Sequence, residues 1–110
     1  MTPRRCRAGL LLAGACLAAL PALAADEAAG RRKAVACAVC HGAQGVSVAM
    51  DAPHLAGQPA LYVGKQLRAY RSGARQHEVM SLMAKPLSDA DIDDLSAWFA
   101  SLRIEVKPAP

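Results

Sequence analysis

The amino-acid sequence predicts an all-α fold of three to four short helices. Two segments place apolar side chains at helical spacing, glycine and proline punctuate the intervals, and no run alternates in the manner of a strand. The last segment is the best defined. Ser88 is a natural N-cap with Asp91 three residues on, as in a capping box. Ile92, Leu95, Phe99 and Leu102 then form one apolar stripe, with Trp98 beside it. A second helix takes Pro59 at its first position and stops at Gly73, with Val63, Leu67 and Tyr70 on one face. A first helix is expected over residues 26–37, where acidic residues at its start suit the helix dipole. Residues 41–58 hold Gly42, Gly45, Pro53 and Gly57 without a stable period and read as loop. A second loop, residues 74–79, leads to a short turn at 80–85.

Residues 1–24 have the layout of a secretory signal peptide. Arg4, Arg5 and Arg7 precede an apolar run over residues 8–20; Pro21 breaks it, and Ala22-Leu23-Ala24 offers the small residues of a cleavage site. The run is shorter than the ~20 residues that span a bilayer, so a cleaved leader is favoured over an anchor. A lipoprotein reading through Cys16 is weaker, because Ala13 stands where leucine is wanted. The expectation is a periplasmic domain over residues 25–110 with no stable membrane insertion. The chain carries 13 basic and 9 acidic residues. Three of the basic ones lie in the leader, so the exported part is nearly neutral. No basic stripe with interleaved aromatics is present, which argues against a nucleic-acid partner.

A domain of this size buries only ~60–65% of its unfolded surface. With one Trp, two Tyr and one Phe it is also short of large side chains, so another apolar mass at its centre is expected. The cysteines say which. Cys6 and Cys16 leave with the leader, and Cys37-Ala38-Val39-Cys40-His41 is a C-x-x-C-H sequence, the attachment signature of c-type haem. Two thiols at this spacing add to the two vinyl groups on one porphyrin edge, which brings the next residue, His41, beneath the iron as an axial ligand. A zinc site would need four ligands, and His54 and His77 are isolated. A thioredoxin-like pair would follow a strand. A Cys37–Cys40 disulfide would close too small a loop to stabilise much. One covalent haem c with its iron is therefore the expected cofactor.

An electron-transfer haem usually carries a sixth ligand, and methionine there raises the reduction potential. Met50, Met80 and Met83 are available. Met50 follows close behind His41 in a loop that must first turn round the haem edge. Met80 and Met83 come after the second helix, where the chain can return on the opposite face, and a methionine in either place can equally be core filler.

Further along, the residues Cys37-Ala38-Val39-Cys40-His41-Gly42, Pro53-His54-Leu55-Ala56-Gly57-Gln58, Tyr62, Gln66, Leu67, Gly73-Ala74-Arg75, Met80 and Leu87-Ser88-Asp89 with Ile92 resemble class I c-type cytochromes. The likeness runs from about Arg32 to Leu102 and is to one haem domain of the bacterial dihaem cytochromes of the c-four type and their small monohaem relatives. It implies the cytochrome c fold, Met80 rather than Met83 as distal ligand, and a Pro53 carbonyl that accepts a hydrogen bond from the His41 imidazole. A dihaem relative has a second C-x-x-C-H where this chain has none, so one haem is expected, and a partner must supply what a second haem supplies there.

The function expected is outer-sphere electron transfer by a soluble periplasmic carrier with no catalytic residue. Its partners would be a dehydrogenase, a cytochrome complex or a terminal oxidase. The same residues also suit a haem-bearing subunit of a dehydrogenase or oxidase complex, and, if Met80 does not ligate, a five-coordinate haem that binds small ligands. His77 is expected to face solvent. The Arg31-Arg32-Lys33 run reads as a solvated helix face, and Tyr62 and Tyr70 as core aromatics or contacts to a haem propionate.

Overall fold

Asp26 opens the first helix because its carboxylate can take up amides that have no partner inside the helix. Its Oδ1 accepts from the Ala28 and Ala29 N–H groups at 2.8 and 3.1 Å. Helix α1 (Glu27–Lys33) follows, acidic in its first turn and basic in its last, the arrangement that the helix dipole favours. The structure, a computed structural model, describes residues 24–110. The expected leader, apart from Ala24, lies outside the described residues.

The first helical segment runs further than the sequence suggests. α1 tightens into a 3₁₀ stretch at Ala34–Cys37 and continues as α2 (Ala38–His41). Nothing between Ala34 and His41 breaks a helix, and the segment ends only at Gly42, whose φ of 79° suits a residue without a Cβ. Pro59, expected as the first residue of the second helix, instead stands just before it. Its carbonyl accepts from Val63 N–H at 3.1 Å and opens α3 (Ala60–Ser72). Gly73 closes that helix in the left-handed conformation at φ 83°. The short α4 (Met80–Ala84) follows.

The last helix, α5 (Asp89–Ser101), starts as the sequence predicts. Ser88 Oγ accepts from Asp91 N–H at 3.1 Å, and Asp91 Oδ2 accepts from Ser88 N–H at 2.9 Å. Its apolar stripe is the centre of the molecule: Ile92 is 0% exposed, and Leu95 and Phe99 are buried with it. Burying such a side chain stabilises by about 1.5–3 kcal/mol. Leu95 and Phe99 join Ala34 from the first segment and Val63 from α3, with Cys37, Leu55, Leu67, Leu87, Trp98 and Leu102 packed around them. Among the described residues there are four helical segments, no strand, and no helix long and apolar enough to cross a membrane.

α1 and α5 cross closely. A Cβ on Gly30 would overlap the Asp94 carbonyl and lie 2.8 Å from Trp98 Cβ, so only glycine permits this approach. Lys33 bridges the same crossing, its Nζ 2.8 Å from Asp91 Oδ1 and 2.6 Å from Asp94 Oδ2. Asp94 Oδ1 also accepts from the Asp26 backbone at 2.8 Å. The guanidinium of Arg31 lies over the Trp98 ring, 5.6 Å from its centroid. Two members of the basic run thus hold α1 to α5 rather than facing solvent alone. On the other side, Arg71 ties α3 to the start of α5 through the Leu87 carbonyl at 2.9 Å and Asp89 at 2.6 Å.

Candidate haem-binding site

The continuous first segment sets the site. Because residues 34–41 stay helical, Cys37, Cys40 and His41 lie within little more than one turn at its end. Both cysteines are half-buried free thiols, and Cys37 packs on the core. Burial pushes the Cys37 thiol up from its ordinary value, so the neutral thiol is favoured there.

His41 ends α2 and is only 6% exposed. Its Nδ1 lies 2.8 Å from the Pro53 carbonyl oxygen and donates to it. A proline carbonyl suits this role, because the fixed ring holds the backbone in place. In the neutral ring that bond assigns the hydrogen to Nδ1 and leaves Nε2 as the acceptor nitrogen.

The loop that carries Pro53 is ordered by its own backbone. The Cys40 carbonyl accepts from Val48 and Ala49 N–H at 3.1 and 3.3 Å, and the Gly45 carbonyl accepts from Leu55 and Ala56 at 2.7 and 3.0 Å. Gly45 adopts φ 71° to make the second turn. His54 braces the loop: its Nδ1 accepts from Ser47 N–H at 2.7 Å. The loop is then pinned to α5, where Gly57 N–H donates to the Phe99 carbonyl at 2.9 Å.

The three methionines differ in place. Met50 is fully exposed in the loop, Met83 is 39% exposed in α4, and Met80 is half-buried at the first position of α4. The structure thus joins His41 to Pro53 directly, places Cys37 and Cys40 on the same helical run, and sets Met80 on a separate element that packs against α3.

Two features were not readable beforehand. His54 acts as the loop brace, and His77 takes up the amides ahead of Met80. Its Nδ1 accepts from Val79 and Met80 N–H, each at 3.2 Å. Histidine is not among the usual capping residues, so no sequence signal marked it. Of the two tyrosines, Tyr62 is exposed, and Tyr70 packs under Arg75, 4.7 Å from guanidinium to ring centroid.

The donor set fits a covalently attached haem. Two unlinked thiols flank the last turn, and the buried imidazole beside them has its Nδ1 engaged by Pro53 and its Nε2 left for a ligand. Val46 and Val48 in the loop, with Val79 and Leu82 around Met80, add exposed apolar side chains of the kind that contact a porphyrin.

A family model for cytochrome c matches residues 27–103, and the chain belongs to that family, whose members bind haem c covalently. The chain is 45% identical over 87 residues to a thiosulfate dehydrogenase electron acceptor of Thiomonas intermedia, covering 78% of this chain and 40% of the relative. It is 42% identical over 81 residues to cytochrome c-554(548) of Halomonas halodenitrificans, covering 71% of this chain and 98% of that protein. The crystal structure of cytochrome c4 from Pseudomonas stutzeri aligns with a TM-score of 0.68 at 38% identity, over 73% of this chain and 47% of that one. The chain therefore spans about half or less of the length of its cytochrome c4 and thiosulfate dehydrogenase acceptor relatives. These relatives are cytochromes c, electron carriers rather than enzymes.

Proposed function

We propose that the chain is a periplasmic electron carrier with one haem c, attached through Cys37 and Cys40 and ligated axially by His41 and Met80. The observation that carries this reading is the 2.8 Å hydrogen bond from the buried His41 Nδ1 to the Pro53 carbonyl. An imidazole held in this way keeps one ring orientation and offers Nε2 to a metal.

When bound, haem supplies a one-electron couple between ferric and ferrous iron. The chain's own residues do the rest. Cys37 and Cys40 would hold the group by its edge, and His41 would supply a nitrogen ligand to its iron. Met80 would supply a thioether, which favours the ferrous state and raises the potential. Leu95 and Phe99 keep water from the interior. The leader over residues 1–24 supports export, and C-x-x-C-H haem is attached on the exported side. The likeness to a thiosulfate dehydrogenase electron acceptor supports an exported dehydrogenase as the electron source. The same likeness favours a second reading, a haem subunit of such a dehydrogenase complex.

The first reading is tested on protein purified from the periplasm of a host that attaches c-type haem. Expected are one haem per chain by pyridine haemochrome, retention of haem in acidified organic solvent, and a ferric charge-transfer band typical of thioether ligation. Haem that extracts into the solvent would overturn the attachment, and absence of the band would overturn the methionine ligand. Co-purification with a dehydrogenase would favour the subunit reading.

A further inference from the structure

We infer that His77 is a positioning residue for Met80: its ring serves as the N-cap of the turn that presents the methionine sulfur. The inference rests on the reading of Met80 as distal ligand and goes beyond it.

α4 begins at Met80, but its hydrogen bonding starts earlier. Ser81 N–H donates to the His77 carbonyl at 3.0 Å, and Met83 N–H donates to Val79 at 3.0 Å. With His77 as the cap residue, Val79 and Met80 are the second and third positions of the turn. These are the amides that a capping side chain satisfies. His77 Nδ1 accepts from both at 3.2 Å. The cap is reciprocal, since His77 N–H donates to Ser81 Oγ at 3.0 Å.

The imidazole is itself held from α3. Tyr70 meets it edge-on, with centroids 6.5 Å apart and planes at 74°. Arg75 covers the Tyr70 ring and donates to Gln66 Oε1 at 2.6 Å. A line of contacts therefore runs from Gln66 through Arg75, Tyr70 and His77 to the Met80 amide. α4 is only five residues long, and the Val79 and Met80 amides at its start take this ring as their acceptor. Loss of the acceptor frees the Met80 backbone, and the sulfur then leaves the iron more often, without a change of ligand type.

The test uses the haem-loaded full chain, ferric, in conditions where it is fully folded. The readouts are the rate of cyanide binding, which requires the sulfur to leave the iron, and the thioether charge-transfer band. His77→Phe keeps a ring against Tyr70 but removes the acceptor. It is expected to raise the cyanide rate about fivefold, the factor that loss of a typical N-cap gives. His77→Asn, with a side-chain oxygen suited to capping, is expected to restore the slower rate. An unchanged rate in His77→Phe overturns the inference, as does a raised rate that His77→Asn fails to restore. Met80→Ala run alongside separates the two readings. If it keeps the band, the ligand assignment falls and takes the inference with it. If it loses the band while His77→Phe behaves as wild type, the inference alone falls.

Discussion

Lys33 on α1 holds Asp94 on α5 at 2.6 Å, and the same ammonium reaches Asp91 at 2.8 Å. The Lys33 and Ser88 hydrogen bonds hold the Asp91 carboxyl well below the usual range, and the Asp26 amide followed by Lys33 lowers Asp94. Lys33 is raised in turn by Asp91 and then Asp94. A carboxyl lowered on folding stabilises above its ordinary pKa of ~3.9, and that contribution is lost as pH falls through the folded value. The raised lysine contributes fully below ~10.4 and loses its contribution as pH rises through its higher folded value. Urea unfolding across pH should therefore show a plateau between these ranges and a decline below about pH 4. Lys33→Met should lower stability on the plateau and flatten the acid limb. An acid limb of unchanged slope in the variant would place the pH dependence elsewhere.

Gly30→Ala should destabilise although alanine is the better helix former. The added methyl meets the Asp94 carbonyl and Trp98 Cβ, so α1 must shift away from α5. Overpacking of this kind costs about 1–3 kcal/mol, against about 1 kcal/mol gained in helix propensity. The midpoint of denaturant unfolding checks the sign, and a more stable variant would mean that the crossing yields easily.

Met80→Ala should abolish the thioether charge-transfer band, lower the reduction potential and admit cyanide or carbon monoxide to the iron. Met83→Leu should keep the band and cost less than about 1.5 kcal/mol, since the side chain is partly exposed and the swap conserves volume. The reverse pattern in spectra and potentiometry would move the ligand to Met83.

Replacing Cys37 and Cys40 together by Ala should leave haem extractable into acidified organic solvent and the chain poorly folded. Few large side chains are available to fill the core without the cofactor. Covalent haem retained in the double variant, read by haem staining of a denaturing gel, would refute the attachment.

Much of this molecule can be read from local chemistry, and the exceptions share a cause. α5 announces itself because its start and its buried face both lie in a dozen residues, from Ser88 to Phe99. α3 is bracketed by Pro59 and Gly73, and the error of one residue at Pro59 reflects only where the carbonyl ladder begins. The Cys37-Cys40-His41 spacing names its cofactor unaided. The His41–Pro53 hydrogen bond needed a likeness to known proteins, because a loop proline has no signal of its own. Lys33 looked like part of a solvated run, and its two carboxylates lie some sixty residues away. Such long-range pairing leaves no periodic trace, and the same holds for the ring of His77 against Tyr70.

Trp98 is the chain's single tryptophan, and it lies under Arg31 where α1 meets α5. Its indole N–H is buried without an acceptor among the described residues. The protein thus carries an intrinsic fluorophore at the seam between α1 and α5. In the haem-loaded chain, energy transfer to the haem should hold its emission low, and the emission should rise as the seam opens and the ring moves away from the cofactor. A rise that precedes the loss of helical circular dichroism would show α1 and α5 parting before they melt, whereas coincident curves would mark one cooperative unit.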